Sequence, residues 1–171
     1  MSGNISKQEY KAYLCQQLLI FSSIEEKRRF PLPHESLKRL TNIFRDLSEL
    51  DKMIIKMRTS GESMNDLTTS TPTYNELTNS TRTYVDYLKR LNQKQLLPHV
   101  YLNYLALMFG GQMMKDKVPG SGRIYQFDNL QDAIMSIRSI QQDDWQYEVN
   151  KGFTYIIGMF NELQTIFGLP S

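Results

Sequence analysis

A chain of 171 residues, 40% hydrophobic and 22% charged, is long enough to bury a core and short enough for one domain, and its formal net charge of +2 is too small to imply a nucleic-acid partner. No apolar run approaches a membrane span, the polar start Met1-Ser2-Gly3-Asn4-Ile5-Ser6 lacks the pattern of a signal peptide, and one cysteine, Cys15, excludes an internal disulfide. These features point to a soluble, intracellular protein, in which the glycosylation sequon Asn79-Ser80-Thr81 is a chance match.

The dominant period is helical. Ser6-Lys7-Gln8-Glu9 is a capping box, in which serine and glutamate satisfy two exposed amides at a helix start. Tyr10, Leu14, Leu18, Phe21 and Ile24 then form one apolar stripe. Lys27, Arg28 and Arg29 suit the negative end of that helix, and Pro31 and Pro33 terminate it. A second helix is predicted from Ser36, with Leu37, Leu40, Ile43, Leu47, Leu50 and Ile54 inward. Residues 59–71, rich in Ser, Thr, Gly and Asn, are predicted to be a flexible loop. Thr71-Pro72 is a good helix entry, and Leu77, Thr81, Tyr84, Leu88 and Leu91 mark the third helix.

From Leu96 to Lys115 the pattern is apolar nearly all round, as expected of a central, buried helix. Gly110 and Gly111 lie inside it. Each costs roughly 1 kcal/mol of helix stability relative to alanine, so they need a reason, such as a kink or a close backbone approach. Pro119, Gly120 and Gly122 mark a connection, and Asp128 or Asn129 can cap the next helix, with Leu130, Ala133, Ile134, Ile137 and Ile140 inward. Val149, Phe153, Ile156, Phe160, Leu163 and Phe167 define the last stripe, which Gly168 and Pro170 end. No segment alternates with period two, so no sheet is predicted.

The stretch Tyr101-Leu102-Asn103-Tyr104-Leu105-Ala106-Leu107-Met108-Phe109-Gly110-Gly111-Gln112, with His99 just before it, resembles the distal-helix signature of the heme oxygenases, Tyr-x-Arg-Tyr-Leu-Gly-Asp-Leu-Ser-Gly-Gly-Gln. Phe30-Pro31, Thr71-Pro72 through Leu91, Tyr125 to Leu130 and Phe160-Asn161-Glu162-Leu163-Gln164 resemble further family segments in the same order. The resemblance implies an all-α, single-domain helical bundle over residues 1–171 with a central helix kinked at Gly110-Gly111.

It also implies what the chain should carry if it works on heme: a proximal-helix histidine for the iron, a distal aspartate to order proton-delivering water, and basic side chains for the propionates. The proximal helix would precede the helix at Ser6, where only a few residues stand, so the domain is expected to be N-terminally shortened relative to the family. The family's glycine and aspartate are here Ala106 and Leu107, its motif arginine is Asn103, and its propionate lysine and arginine align with Ile137 and Gln141. A leucine offers no donor or acceptor to hold water. Tyr101, Gly110, Gly111, Gln112 and Phe153 survive, as walls of a vestigial cofactor cavity.

The expectation is therefore a degenerate, non-catalytic member acting as a binding or assembly subunit, with no catalytic residue, metal or cofactor. Its partner, a protein or a second copy, would cover the face that the missing helix leaves bare. The alternative is a heme-binding or heme-degrading oxygenase with an atypical or partner-supplied iron ligand. Other residues carry weaker chemistry. His99 is expected to be a hydrogen-bonded structural histidine and His34 a turn residue. Cys15 has no recognisable partner as a nucleophile, and the acids Glu25, Glu26, Asp143 and Asp144 sit at helix ends. Whether the groove beneath Gly110-Gly111 is open or filled by Leu107, Met108 and Phe109 separates a retained cavity from a merely inherited kink.

Overall fold

The structure, a computed structural model, describes residues 5–26, 31–59 and 77–168. The element order is α1 Lys7–Glu25, α2 Leu40–Thr59, α3 Asn79–Arg90, α4 Gln93–Leu105, a π-helical turn Ala106–Gly110, α5 Gly111–Met114, α6 Leu130–Ser139 and α7 Gln146–Phe167. Among the described residues there is no strand, so the fold is the single all-α domain expected. The loop predicted over 59–71 and the Thr71-Pro72 helix entry lie, apart from Thr59, outside the described residues.

Helix α1 starts as its capping box dictates. The Glu9 amide donates to Ser6 Oγ at 3.2 Å, and the Ser6 amide donates to Glu9 Oε2 at 2.6 Å. Its predicted stripe, Tyr10, Leu14, Leu18, Phe21 and Ile24, is buried throughout and packs on α2, α3 and α7. Helix α2 begins later than predicted. Ser36 falls in a 3-10 turn, Glu35–Leu37, capped by His34, whose ring accepts from the Ser36 amide at 3.2 Å. The α-helix proper starts at Leu40 because Glu25, at the end of α1, caps it, accepting from the amides of Arg39 at 2.6 Å and Leu40 at 3.3 Å. Helix α3 starts behind Thr78, whose hydroxyl accepts from the Thr81 amide.

Helix α7 departs from its sequence pattern. Of the predicted stripe only Leu163 is buried; Phe153 and Phe160 are 52% and 45% exposed. The face that packs inward carries Gly152 and Met159. A Cβ on Gly152 would meet Leu102 at 2.8 Å and His99 Nδ1 at 2.9 Å, and one on Gly158 would meet Ser80 Oγ at 2.3 Å. Backbone, not side chains, makes the closest approach of α7 to α3 and α4, which leaves Phe153 exposed beside that contact.

Candidate functional site

The last turn of the central helix is wound as π-helix. The Gly111 amide donates back to Ala106 O as well as to Leu107 O, adding a residue to that turn. Such π-turns re-aim the side chains that follow, often beside functional sites. Here the extra residue sends the two glycines to different tasks. Gly111 is buried against the Tyr125 ring, where a Cβ would come within 2.3 Å of Cδ1. Gly110 has nothing within 4 Å of where its Cβ would stand.

Beside them the groove is open. A cavity of about 460 Å³ lies between α1, the central helix and α7, within the range of small-molecule sites. Ala106, Leu107, Gly110, Gly111 and Met114 form one wall, and Ile156, Phe160, Leu163 and Phe167 of α7 another. Leu107 lines the cavity without filling it. Met108 turns into the core, and Phe109 turns outward, half exposed.

The predicted wall residues separate. Gly110 and Gly111 line the cavity. Tyr101 does not: its ring packs edge-on against the buried Trp145 at 5.9 Å. Gln112 donates to the Tyr125 carbonyl at 3.0 Å, tying the π-turn to the following connection. Phe153 stands on the exposed face of α7. Cys15 is buried in the core and is not among the lining residues.

Three cavity residues were not singled out as such from sequence: Tyr10, read only as helix stripe, Tyr13 beside it on α1, and Tyr125, read only as part of the connection. The one available signal was chemical. A tyrosine on a core-facing stripe brings a hydroxyl that needs a partner, where Phe or Leu would not. The Tyr10 hydroxyl is buried and makes no hydrogen bond, a condition that costs about 1–3 kcal/mol.

His99 faces the other side of the central helix, wholly buried. Its Nε2 meets Glu148 Oε2 at 3.0 Å and its Nδ1 meets the Tyr84 hydroxyl at 2.9 Å. Tyr87 donates to the same Glu148 oxygen at 2.6 Å, and Asn103 Nδ2 donates to the Tyr84 hydroxyl at 2.8 Å. Asn103 also borders the cavity. Burial opposes ionisation of Glu148, but Tyr87 and His99 outweigh it and hold the carboxyl below its ordinary range. Burial pushes the His99 ring down against the pull of Glu148. The folded state therefore prefers neutral histidine, and the unfolded chain binds more protons below a pH of about 6.5. The stability due to this pair is complete above about pH 6.5 and lost as pH falls through the two folded values. In urea titrations across pH, His99→Gln should flatten the acid-side loss; an unchanged slope would refute the assignment.

Among the described residues no three His, Cys, Asp or Glu side chains could jointly hold a metal ion, and no helix is long and apolar enough to cross a membrane. Among the described residues neither histidine, nor Cys15, nor any lysine or arginine lines the cavity.

The fold is thus of the all-α bundle class, with a π-wound, glycine-paired central helix beside an apolar cavity. The chain belongs to the heme oxygenase family, whose model matches residues 1–156. Its fold is similar to that of heme oxygenase-1 from the cyanobacterium Synechocystis sp. PCC6803, solved in complex with heme. The TM-score is 0.69 at 18% sequence identity, over 96% of this chain and 83% of that one. No curated protein matches it.

Proposed function

We propose that this chain is a heme-oxygenase-fold protein that has given up heme oxidation and acts by binding. The observation that carries this reading is the donor set of the cavity. Heme iron is held by an imidazole, thiolate or phenolate, or by a thioether opposite an imidazole, and the lining residues include no histidine or cysteine, so Met114 would stand there without its imidazole partner. Tyr10, Tyr13 and Tyr125 are held as neutral phenols, chiefly by burial. Heme carboxylates need cations, and among the described residues no lysine or arginine lines the walls. Where the family places its water-ordering aspartate stands Leu107. These residues do not fit heme.

The second reading, heme binding, is favoured by two observations: the groove at Gly110 is open, and the similar cyanobacterial heme oxygenase-1 was solved in complex with heme. Titration with hemin, followed by absorption, decides between them. The expected result is no stoichiometric Soret band. A saturating band with one heme per chain, or bilin formation when a reductase is added, overturns the binding reading.

The same reading includes a protein partner or second copy on the outer face of α7, where Phe153 and Ile157 are exposed one helical turn apart. Sedimentation should show association that weakens in a Phe153→Ser/Ile157→Ser variant. A monomer at all concentrations would remove a second copy as the partner.

A further inference from the structure

The cavity is chemically lopsided. Its α7 wall is apolar, whereas its α1 end gathers the phenols of Tyr10, Tyr13 and Tyr125. The Tyr10 and Tyr13 rings stack at 6.2 Å, and Tyr13 stacks on Phe160 at 5.8 Å, so the aromatic layer runs from α1 across to α7. Burial pushes Tyr125 up to about 12 and raises Tyr10 and Tyr13 as well, and each phenol perturbs its neighbours. All three are hydroxyl donors throughout the physiological range.

Tyr10 and Tyr13 both approach the Tyr125 hydroxyl, but the Tyr10 approach falls short of hydrogen-bond geometry. Tyr10 is only 1% exposed, and its hydroxyl has no partner, the one such buried side-chain atom found among the described residues. Phenylalanine would fill the same space without leaving a group unpaired. The acceptor that would satisfy this end of the cavity is not supplied by the chain. Its charge can be argued as well. Among the described residues no lysine or arginine lines the cavity, and the only acid there is Glu9, whose carboxylate already accepts the Ser6 amide. An anion would be buried beside apolar walls and a carboxylate with no counter-charge.

We propose that the cavity takes an uncharged, largely apolar small molecule bearing a carbonyl oxygen, and that Tyr10, Tyr13 and Tyr125 form the end that recognises the carbonyl. This deepens the binding reading above and rests on it. Unlike heme, such a ligand needs neither an axial donor nor a cationic rim. The apolar body lies along Ile156 and Leu163, and the carbonyl takes a proton-sharing contact with the phenol cluster.

The probe is a dimethylaminonaphthyl ethyl ketone, whose emission reports both polarity and hydrogen bonding. It is compared with the matched naphthalene in which the carbonyl is replaced by methylene, and with the matched naphthyl carboxylate. The ketone should bind the wild-type protein roughly tenfold more tightly than the methylene compound, the effect of one good hydrogen bond in a dry site. It should also exceed the carboxylate. Tyr10→Phe, which removes only an unpartnered oxygen, should keep the fold by circular dichroism and erase most of the ketone preference. Gly110→Phe, built into open space, should block all three probes.

A ketone preference unchanged in Tyr10→Phe and in the triple Tyr10→Phe/Tyr13→Phe/Tyr125→Phe variant overturns the carbonyl assignment and leaves the binding reading standing. So does a carboxylate that binds best, or a methylene compound that binds as well as the ketone. Absence of saturable binding by any of the three overturns the binding reading itself, and this proposal with it.

Discussion

An Arg39→Ala variant should lose roughly 3–5 kcal/mol of folding stability, a large part of what holds a domain of this size together. Arg39 is 3% exposed and precedes α2. Its Nε donates to Leu37 O at 2.9 Å, Nη2 to Ser36 O at 2.8 Å, and Nη1 to Gln126 O at 2.5 Å. Its guanidinium also lies 3.8 Å over the Phe127 ring. One side chain therefore clamps the turn before α2 to the connection that carries Tyr125. Burial pulls the guanidinium below its usual pKa, opposed by Tyr104 and Glu25, but an arginine stays charged even so. Alanine leaves the carbonyls without their donor and Glu25 without its nearest compensating charge. Arg39→Lys should recover little, because an ammonium cannot span carbonyls arranged around a planar fork. Urea unfolding midpoints measure both. A loss below about 1 kcal/mol for Arg39→Ala would show that the clamp is dispensable.

The adjacent glycines should give opposite results when each is replaced by alanine. At Gly110 the new methyl enters open space on a backbone with φ of -67°, so the variant should gain about 0.5–1 kcal/mol from helix preference. At Gly111 the methyl would stand 2.3 Å from Tyr125 Cδ1. The Tyr125 ring is 4% exposed and its carbonyl is held by Gln112, so it has little room to yield. Overpacking of this kind costs about 1–3 kcal/mol. Thermal unfolding of the two variants side by side is the measurement. Equal effects would mean that the π-turn does not divide the pair between cavity and packing. The contrast bears on function, because Gly110 is the position that a cavity needs small and Gly111 the position that the fold needs small.

Much of this molecule was legible in local pattern. The Ser6–Glu9 capping box, the α1 stripe and the Asn129 cap each depend on residues within a few positions of one another. Their hydrogen bonds form as the pattern requires, with Asn129 Oδ1 accepting from the Asp132 amide at 3.2 Å. The distal-helix resemblance led to the right family and fold because the spacing around Gly110-Gly111-Gln112 is kept. The start of α2 at Leu40, rather than Ser36, was not legible, because its cap is Glu25 from the preceding helix.

The site was legible in part. Both glycines line the cavity, but Tyr101 and Gln112 pack elsewhere and Phe153 is exposed. Helical periodicity names the apolar stripe of α7 without saying that Gly152 and Gly158 will bring its backbone against α4 and α3. That contact leaves Phe153 exposed, while Phe160 stands over the cavity against Tyr13. His99 and Glu148 lie 49 residues apart in sequence, and nothing local in either marks the other as its partner.

By itself, then, the sequence determined which segments are helical and the pair of glycines in the central helix. These are properties of composition, capping and period. Only the tertiary structure decided that Gly110 faces an open cavity while Gly111 holds a tyrosine ring, and that three phenols converge beside them with one hydroxyl unpaired. The physical reason is that the direction of a side chain, and whether its polar atom finds a partner, are set by contacts between helices distant in the chain.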